Sequence, residues 1–220
     1  MTIHTSTCMK LLLLTACFSF YAASSQIKIG NQEWMDRNLN VDRFQNGDLI
    51  PEAKTKAAWY AACDNNQPAW CYYAHDPANG ELYGRIYNLA AVRSEQGLCP
   101  TGWRIPRDSD WDYVKKYCYE NNITLSDEAG WTEVYVPDSA RGEKELPKRI
   151  GFKAPPGGRL MGEFYFFDLK GELINYWSLG SSNPLAADWR IRGVDQSKFI
   201  GQVSLNIDEV WGQYVRCIKK

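Results

Sequence analysis

Three aspartates at alternate positions are the first residues whose pattern suggests a chemical role. Asp108, Asp110 and Asp112 imitate the start of a calcium-binding loop, in which alternating carboxylates supply the first ligands. The pattern then fails, because Tyr113 stands where such a loop needs its glycine and Tyr119 where it needs its bidentate glutamate. Carboxylates also favour the first turn of a helix. We therefore interpret the three aspartates as the start of a helix capped by Asp108, and we expect no metal site.

A second chemistry that the sequence could support is nucleophilic catalysis. His75 is the histidine that remains for it, but this residue only precedes a turn at Asp76-Pro77, and no serine or cysteine elbow accompanies it. The glycine-rich stretch 154–159 lacks the lysine of a phosphate-binding loop. No spacing singles out a pair of carboxylates of the kind that glycosidases use. We interpret His75 as an exposed turn residue and expect a protein that is not an enzyme and holds no cofactor.

The first 25 residues have the pattern of a signal peptide. Lys10 supplies the positive charge, residues 11–23 are apolar, and Ala23-Ser24-Ser25 predicts cleavage before Gln26. An alternative is the lipobox Leu14-Thr15-Ala16-Cys17, in which the cysteine would carry a lipid anchor. The apolar run is shorter than the roughly 20 residues that cross a bilayer. We expect a secreted or cell-surface protein without a transmembrane segment.

The composition predicts one globular domain over residues 26–220. The full chain has 220 residues, of which 45% are hydrophobic and 14% aromatic, with a formal charge of −1. This apolar content excludes a disordered chain. The near-neutral charge argues against a nucleic-acid partner, because such proteins need a basic face that neutralises several phosphates. Chains of this length usually form a single domain.

Five cysteines remain after the predicted signal peptide. They are Cys63, Cys71, Cys99, Cys118 and Cys217. Disulfides are the default in an oxidising compartment, although an odd number leaves at least one thiol over. Helical periodicity places Cys118 on a buried stripe, so we expect it to be the free thiol. The short loop between Cys63 and Cys71 suggests one bridge, which would leave Cys99 to pair with Cys217.

Local patterns predict an α+β fold, with helices first and an antiparallel sheet later. The clearest helix is 108–121, where Trp111, Val114 and Cys118 share one face. A shorter helix is predicted over 54–62. The predicted strands lie at 27–29, 33–35, 70–74, 103–105, 159–169, 173–179, 189–193, 202–207 and 213–218.

Several motifs occur together in one order along the chain. They are Ile29–Met35 (IGNQEWM), Pro68–Tyr73 (PAWCYY), Tyr83–Asn88 (YGRIYN), Cys99–Pro106 (CPTGWRIP) with Trp111, Gly151–Phe152, Gly158–Arg159, Tyr176–Ser178 and Val215–Cys217. This ordered set resembles the FISUMP family, the Fibrobacter succinogenes major paralogous domain. The resemblance extends over about residues 27–218.

The resemblance implies a secreted or cell-surface bacterial domain with a fold related to C-type lectins. Such a fold would have short antiparallel strands, one to three helices and long loops. The resemblance also implies a disulfide between Cys99 and Cys217, in agreement with the pairing above. The family has no established general activity, so none is transferred to these residues.

Tryptophans are the remaining candidates for recognition. Four belong to the shared motifs and are expected in the core: Trp34, Trp103, Trp111 and Trp177. Trp131, Trp189 and Trp211 lie outside the strongest motifs, and an aromatic ring can stack on a sugar or anchor a protein partner. We therefore predict a non-catalytic binding module for a glycan or an envelope protein. The alternatives are an enzyme related to the formylglycine-generating fold and a structural envelope protein without a small ligand.

Overall fold

Short helices and antiparallel sheets make up the fold, as the sequence predicts. The computed structural model describes residues 26–125, 131, 148–162, 166–180, 186–192, 200–204 and 210–220. The predicted signal peptide and its cleavage site before Gln26 therefore lie outside the described residues. In the part of the chain that the structure describes, no helix combines the length and the apolar character needed to span a membrane.

The described residues contain four α-helices rather than the one to three implied by the family resemblance. They are α1 (Lys56–Asp64), α2 (Gly80–Tyr83), α3 (Leu89–Arg93) and α4 (Asp108–Glu120), with 3₁₀ turns at Tyr73–His75 and Pro77–Asn79. The difference comes from single-turn helices that are too short for a clear periodic signal. One of them, α3, follows directly on a strand and is capped by Asn88, whose side chain accepts from the Ala91 amide at 3.0 Å.

The strands are short. They are β1 (Gln26–Ile29), β2 (Gln32–Met35), β3 (Trp70–Cys71), β4 (Ile86–Asn88), β5 (Trp103–Arg104), β6 (Ile123–Thr124), β7 (Lys148–Arg149), β8 (Arg159–Met161), β9 (Phe166–Asp168), β10 (Leu173–Leu179), β11 (Ala186–Arg192), β12 (Ile200–Ser204), β13 (Gly212–Gln213) and β14 (Ile218–Lys219).

Strands from the two ends of the chain are interleaved. In the described residues, one sheet has the order β1-β2-β14-β5 and a second has the order β3-β4-β13-β8-β9. A third sheet is β10-β11-β12, and β6 pairs with β7 in parallel. The last strand thus lies between β2 and β5, where Ile218 is opposite Trp34 and Arg104. One sheet therefore contains strands from both ends of the chain, whereas the sequence predicts helices first and an antiparallel sheet later.

Helix α4 has the buried face that its periodicity predicts. Trp111 and Val114 are fully buried and Cys118 is 4% exposed. The capping residue differs from the prediction, since Asp110 rather than Asp108 accepts from the Arg107 amide, at 2.6 Å. Arg104 donates to both carboxylate oxygens of Asp110, at 2.6 and 2.9 Å. Burial alone would raise the pKa of Asp110, but these hydrogen bonds outweigh burial and lower it.

Aromatic side chains fill the core. In one cluster the rings of Trp34 and Trp111 lie 4.7 Å apart, and Trp111 stacks on Tyr176 at 5.3 Å. A second cluster is built around Tyr87 and Trp177, which are both fully buried. This second cluster includes the cysteines of the Cys99–Cys217 disulfide, which confirms that predicted pairing.

A buried arginine near the C-terminus joins segments from the start and the middle of the domain. Arg216 has no exposed surface. Its guanidinium donates to Oδ1 of Asn38 at 2.6 and 3.1 Å and to the Met35 carbonyl at 3.1 Å. It also donates to the carbonyls of Phe152 and Lys153, and it lies 4.4 Å from the centre of the Phe152 ring. The guanidinium thus satisfies backbone acceptors that sheet pairing leaves free.

Candidate functional site

A loop at one edge of the second sheet crosses to the opposite edge. Strands β3 and β9 are the two edges of this sheet. Tyr73 lies two residues after β3, and its ring centre is 5.1 Å from that of Phe167 in β9. The loop after β3 and the turn after β9 therefore meet beside β9.

Both of these segments hold strained backbone. Ala74 and His75 have φ of 54° and 55°, and Leu169 has φ of 55°. Residues with a side chain seldom adopt this left-handed conformation, which costs about 1 kcal/mol or more at each position. Strain of this kind persists where the surrounding structure enforces it, and it is concentrated at functional sites. The strained residues flank the contact between the two loops.

Three half-buried rings form the centre of this contact. Tyr73 and Phe167 are inclined at 55°, and the His75 ring meets Phe167 edge to face, with ring centres 5.4 Å apart. Phe167 also packs against the first core cluster. The rings are therefore held by packing against the core on one side, while part of their surface is exposed to solvent.

Polar groups surround the rings. The Lys170 ammonium is on an exposed residue and donates to Oδ1 of Asn79 at 2.6 Å. The amide of Asn79 in turn donates to the Tyr73 carbonyl at 2.9 Å. Beside them Arg159 and Asp168 form a two-pronged ion pair at 2.9 and 3.1 Å. We refer to the following residues as the aromatic face: Tyr73, His75, Asn79, Phe167, Asp168 and Lys170.

The titratable rings of the aromatic face are neutral at pH 7. Burial lowers the pKa of His75 below its ordinary value of 6.5, although a backbone hydrogen bond and Glu52 act in the opposite direction. Burial raises the pKa of Tyr73, and the charge of Asp168 raises it further. Both rings are therefore uncharged polar groups next to apolar surface, which is the usual composition of a ligand-binding site.

Gly158 allows the parts of the aromatic face to approach each other. It directly precedes β8 and has φ of 71°. A Cβ at this position would lie 2.3 Å from the Asp168 carbonyl oxygen, 2.8 Å from the Tyr73 ring and 2.9 Å from the Lys170 amide nitrogen. Two of these three neighbours are backbone atoms, so they cannot move aside as a flexible side chain would.

We expect Gly158→Ala to destabilise the protein and to displace the aromatic face. The left-handed backbone and the close contacts together should lower the free energy of unfolding by about 2 to 4 kcal/mol. Urea denaturation of the full chain measures this loss.

Gly102→Ala is the matched control for this substitution. Gly102 has φ of 85°, but nothing lies within 4 Å of a Cβ built there. It should therefore cost only about 1 kcal/mol, for the backbone strain alone. Equal losses of unfolding free energy in Gly158→Ala and Gly102→Ala would show that close packing is not the reason why position 158 needs glycine.

The structure describes the side chains of two of the three predicted tryptophans. Trp131 is half-buried against the first core cluster, and its indole N–H is buried without a hydrogen-bond partner among the described residues. Trp211 is half-buried against the second cluster. Trp189 lies in β11 opposite Tyr176, and its side chain is outside the described part of the structure. All three stay predicted binding residues.

The predicted Cys63–Cys71 disulfide is not formed in the structure. Both residues are buried thiols, as is Cys118. Cys63 lies in the last turn of α1, where Asn88 approaches its sulfur at 3.9 Å, while Cys71 lies in β3 opposite Ile86. Burial, and then the neighbouring Cys63, raise the pKa of Cys71. The thiol form is therefore favoured over the thiolate that disulfide formation requires.

The aspartate triplet has a structural role. Asp110 is paired with Arg104, and Asp108 accepts a hydrogen bond from the Ser178 hydroxyl. Among the described residues, no group of three or more histidine, cysteine, aspartate or glutamate side chains could hold a metal ion. Asp110 and Asp108 thus anchor α4 to β5 and β10.

Most of the aromatic face is not predicted from the sequence. His75 is predicted to be an exposed turn residue, whereas the structure places its imidazole ring against Phe167. The signal in the sequence is the run of four aromatic residues Phe164-Tyr165-Phe166-Phe167. Nothing in the sequence indicates that this run meets the loop after β3.

Comparison with known proteins identifies one relationship. The model of the family described as Fibrobacter succinogenes major domain matches residues 27–219. Neither the curated proteins nor the solved structures compared with this chain match it.

Proposed function

The chain belongs to the Fibrobacter succinogenes major domain family, and from this premise we propose that it is a secreted or cell-surface, non-catalytic binding module that recognises a glycan through its aromatic face. The observation that carries the proposal is the meeting of two strained loops, which hold the rings of Tyr73, His75 and Phe167 together at the surface. The export signal in residues 1–25 supports the location.

The chemistry of the aromatic face suits a sugar. The C–H groups on one side of a pyranose ring pack on aromatic rings, while its hydroxyls need hydrogen-bonding groups at the edge of the same surface. The Asp168 carboxylate accepts and the Lys170 ammonium donates. Fixed polar groups around a small apolar centre are the arrangement that gives a binding site its specificity.

The positions of these groups are set before a ligand arrives. Asn79 is buried and holds both Lys170 and the Tyr73 backbone. Arg159 fixes the orientation of the Asp168 carboxylate by donating a hydrogen bond to each of its two oxygens. Side chains that are already ordered lose little conformational entropy on binding, which favours affinity from a small surface.

A glycan array followed by titration calorimetry tests the proposal. We expect the full chain to retain at least one class of glycan, and we expect Phe167→Leu to weaken binding to it about tenfold, or about 1.4 kcal/mol. Leucine keeps an apolar side chain against the core and removes only the ring.

Phe166→Leu is the matched control. Phe166 is the neighbouring residue of β9 and is 43% exposed, and among the described residues its ring makes none of the contacts that Phe167 makes with Tyr73 and His75. This variant should bind as the unchanged protein does. A blank array would contradict glycan recognition, and equal affinities for the Phe166 and Phe167 variants would remove the aromatic face from the proposal.

A further inference from the structure

We propose that the glycan bound by the aromatic face is acidic, with an anionic oxygen group on the sugar that contacts Lys170. This inference rests on the proposed function and specifies the chemical class of its ligand. It depends on where Lys170 is held and on how the charges next to it are paired.

The Lys170 ammonium is fixed directly above aromatic surface. It lies 5.0 Å from the centre of the Tyr83 ring and 5.6 Å from that of Tyr73. The hydrogen bond to Asn79 uses one of its three N–H donors, and Asn79 is itself buried. Lys170 is therefore a positioned cation on an otherwise exposed residue, whereas a lysine side chain at the surface is usually free to rotate.

The carboxylate of the aromatic face is already neutralised by another residue. Asp168 accepts two hydrogen bonds from the Arg159 guanidinium. The Asp168 side chain is 19% exposed and that of Arg159 is 15% exposed. None of the ion pairs found among the described residues includes Lys170. With Asp168 paired to Arg159, Lys170 is the charged side chain of the aromatic face that no ion pair among the described residues neutralises.

An anionic group is the ligand chemistry that this arrangement favours. A charge-assisted hydrogen bond from an ammonium to a carboxylate or sulfate is about twice as strong as one between neutral groups. The cation stands next to the rings, so one sugar can stack on Phe167 and place an anionic substituent at Lys170. Uronic acids and sulfated sugars share this chemistry.

Two pairs of ligands test the inference by titration calorimetry. The first pair is oligogalacturonate and its methyl ester, which have the same ring with and without charge. The second pair is dextran sulfate and dextran. We expect the full chain to bind the charged member of at least one pair about tenfold more tightly than the neutral member. The pair that shows the difference identifies the carboxylate or the sulfate as the anionic group.

Lys170→Met should abolish this preference, so that this variant binds the charged and the neutral member of each pair with equal affinity. Lys170→Arg keeps the charge and should retain the preference. Lys28→Met removes one positive charge from an exposed position in β1 and should bind as the unchanged protein does. Raised salt should weaken binding of the charged ligand to the unchanged protein far more than to the Lys170→Met variant.

Three results would overturn the inference. They are equal binding of both members in both pairs, tighter binding of the neutral members, and a charge preference that survives in Lys170→Met. If neutral glycans bind and Phe167→Leu weakens that binding, the proposed function stands while the acidic ligand is excluded. If the array is blank for every glycan, both proposals fail.

Discussion

Replacing both Cys99 and Cys217 by alanine is expected to lower the free energy of unfolding by about 4 to 5 kcal/mol. The two cysteines are 118 residues apart in sequence, so the bond closes a loop that covers most of the domain. In the chain-entropy model a cross-link of this span greatly restricts the unfolded chain. It also holds the segment before β14 in place, and β14 is the strand between β2 and β5. Urea denaturation of the full chain measures the loss.

Cys118→Ala is the matched control for the disulfide. Cys118 is as buried as the bonded cysteines but forms no cross-link. Its replacement removes one buried sulfur and should cost only about 1 kcal/mol. Adding a reductant to the unchanged protein should reproduce most of the effect of the double substitution. A double variant that is no less stable than Cys118→Ala would show that the cross-link contributes little.

Arg216→Met is expected to lower the free energy of unfolding by about 3 to 5 kcal/mol. Methionine fills much of the same space, but it leaves the carbonyls of Met35, Phe152 and Lys153 without their donor. Each buried acceptor without a partner costs about 1 to 3 kcal/mol. The loss should appear as a lower midpoint of urea denaturation with an unchanged slope.

Two further substitutions separate the role of Arg216 from a general effect of removing charge. Arg216→Lys keeps the charge but cannot reach all the acceptors, so its stability should fall between that of Arg216→Met and that of the unchanged protein. Arg93→Met removes an exposed arginine from the last turn of α3 and should change stability by about 0.5 kcal/mol or less. If Arg216→Met were as stable as Arg93→Met, the buried network would have no net stabilising effect.

The sequence predicts the elements whose signals are local. The hairpin of β1 and β2, helix α1, helix α4 and strand β10 all lie within a few residues of their predicted positions. In α4 the spacing of Trp111, Val114 and Cys118 correctly predicts the buried face. These signals are local because hydrophobic periodicity and turn residues act within one element.

Contacts between distant segments are what the sequence does not predict. No local pattern shows that β14 inserts between β2 and β5, or that Arg216 links Asn38 to Phe152. The disulfide was predicted because cysteines can be paired by elimination and by resemblance to a family. The Cys63–Cys71 prediction fails in the structure for a related reason, since sequence proximity says nothing about how a helix and a strand orient their thiols.

The aromatic face illustrates the same limit. Tyr73 and Phe167 are far apart in sequence and meet only because the loop after β3 crosses to the opposite edge of its sheet. The strained backbone of Ala74 and His75 carries no residue signature, because neither is the glycine that left-handed backbone normally favours. Selecting tryptophans by their position outside the shared motifs therefore led to different residues.

The central claim, that a glycan binds the aromatic face, is tested most directly by following backbone amide signals in an NMR titration. The ligand is the glycan with the strongest signal on the array, added to the isotopically labelled full chain. The account predicts that the largest shifts fall in residues 72–79 and 166–171, and that Phe167→Leu reduces them. Shifts centred on Trp131, Trp189 or Trp211, with both of those segments unchanged, would contradict it.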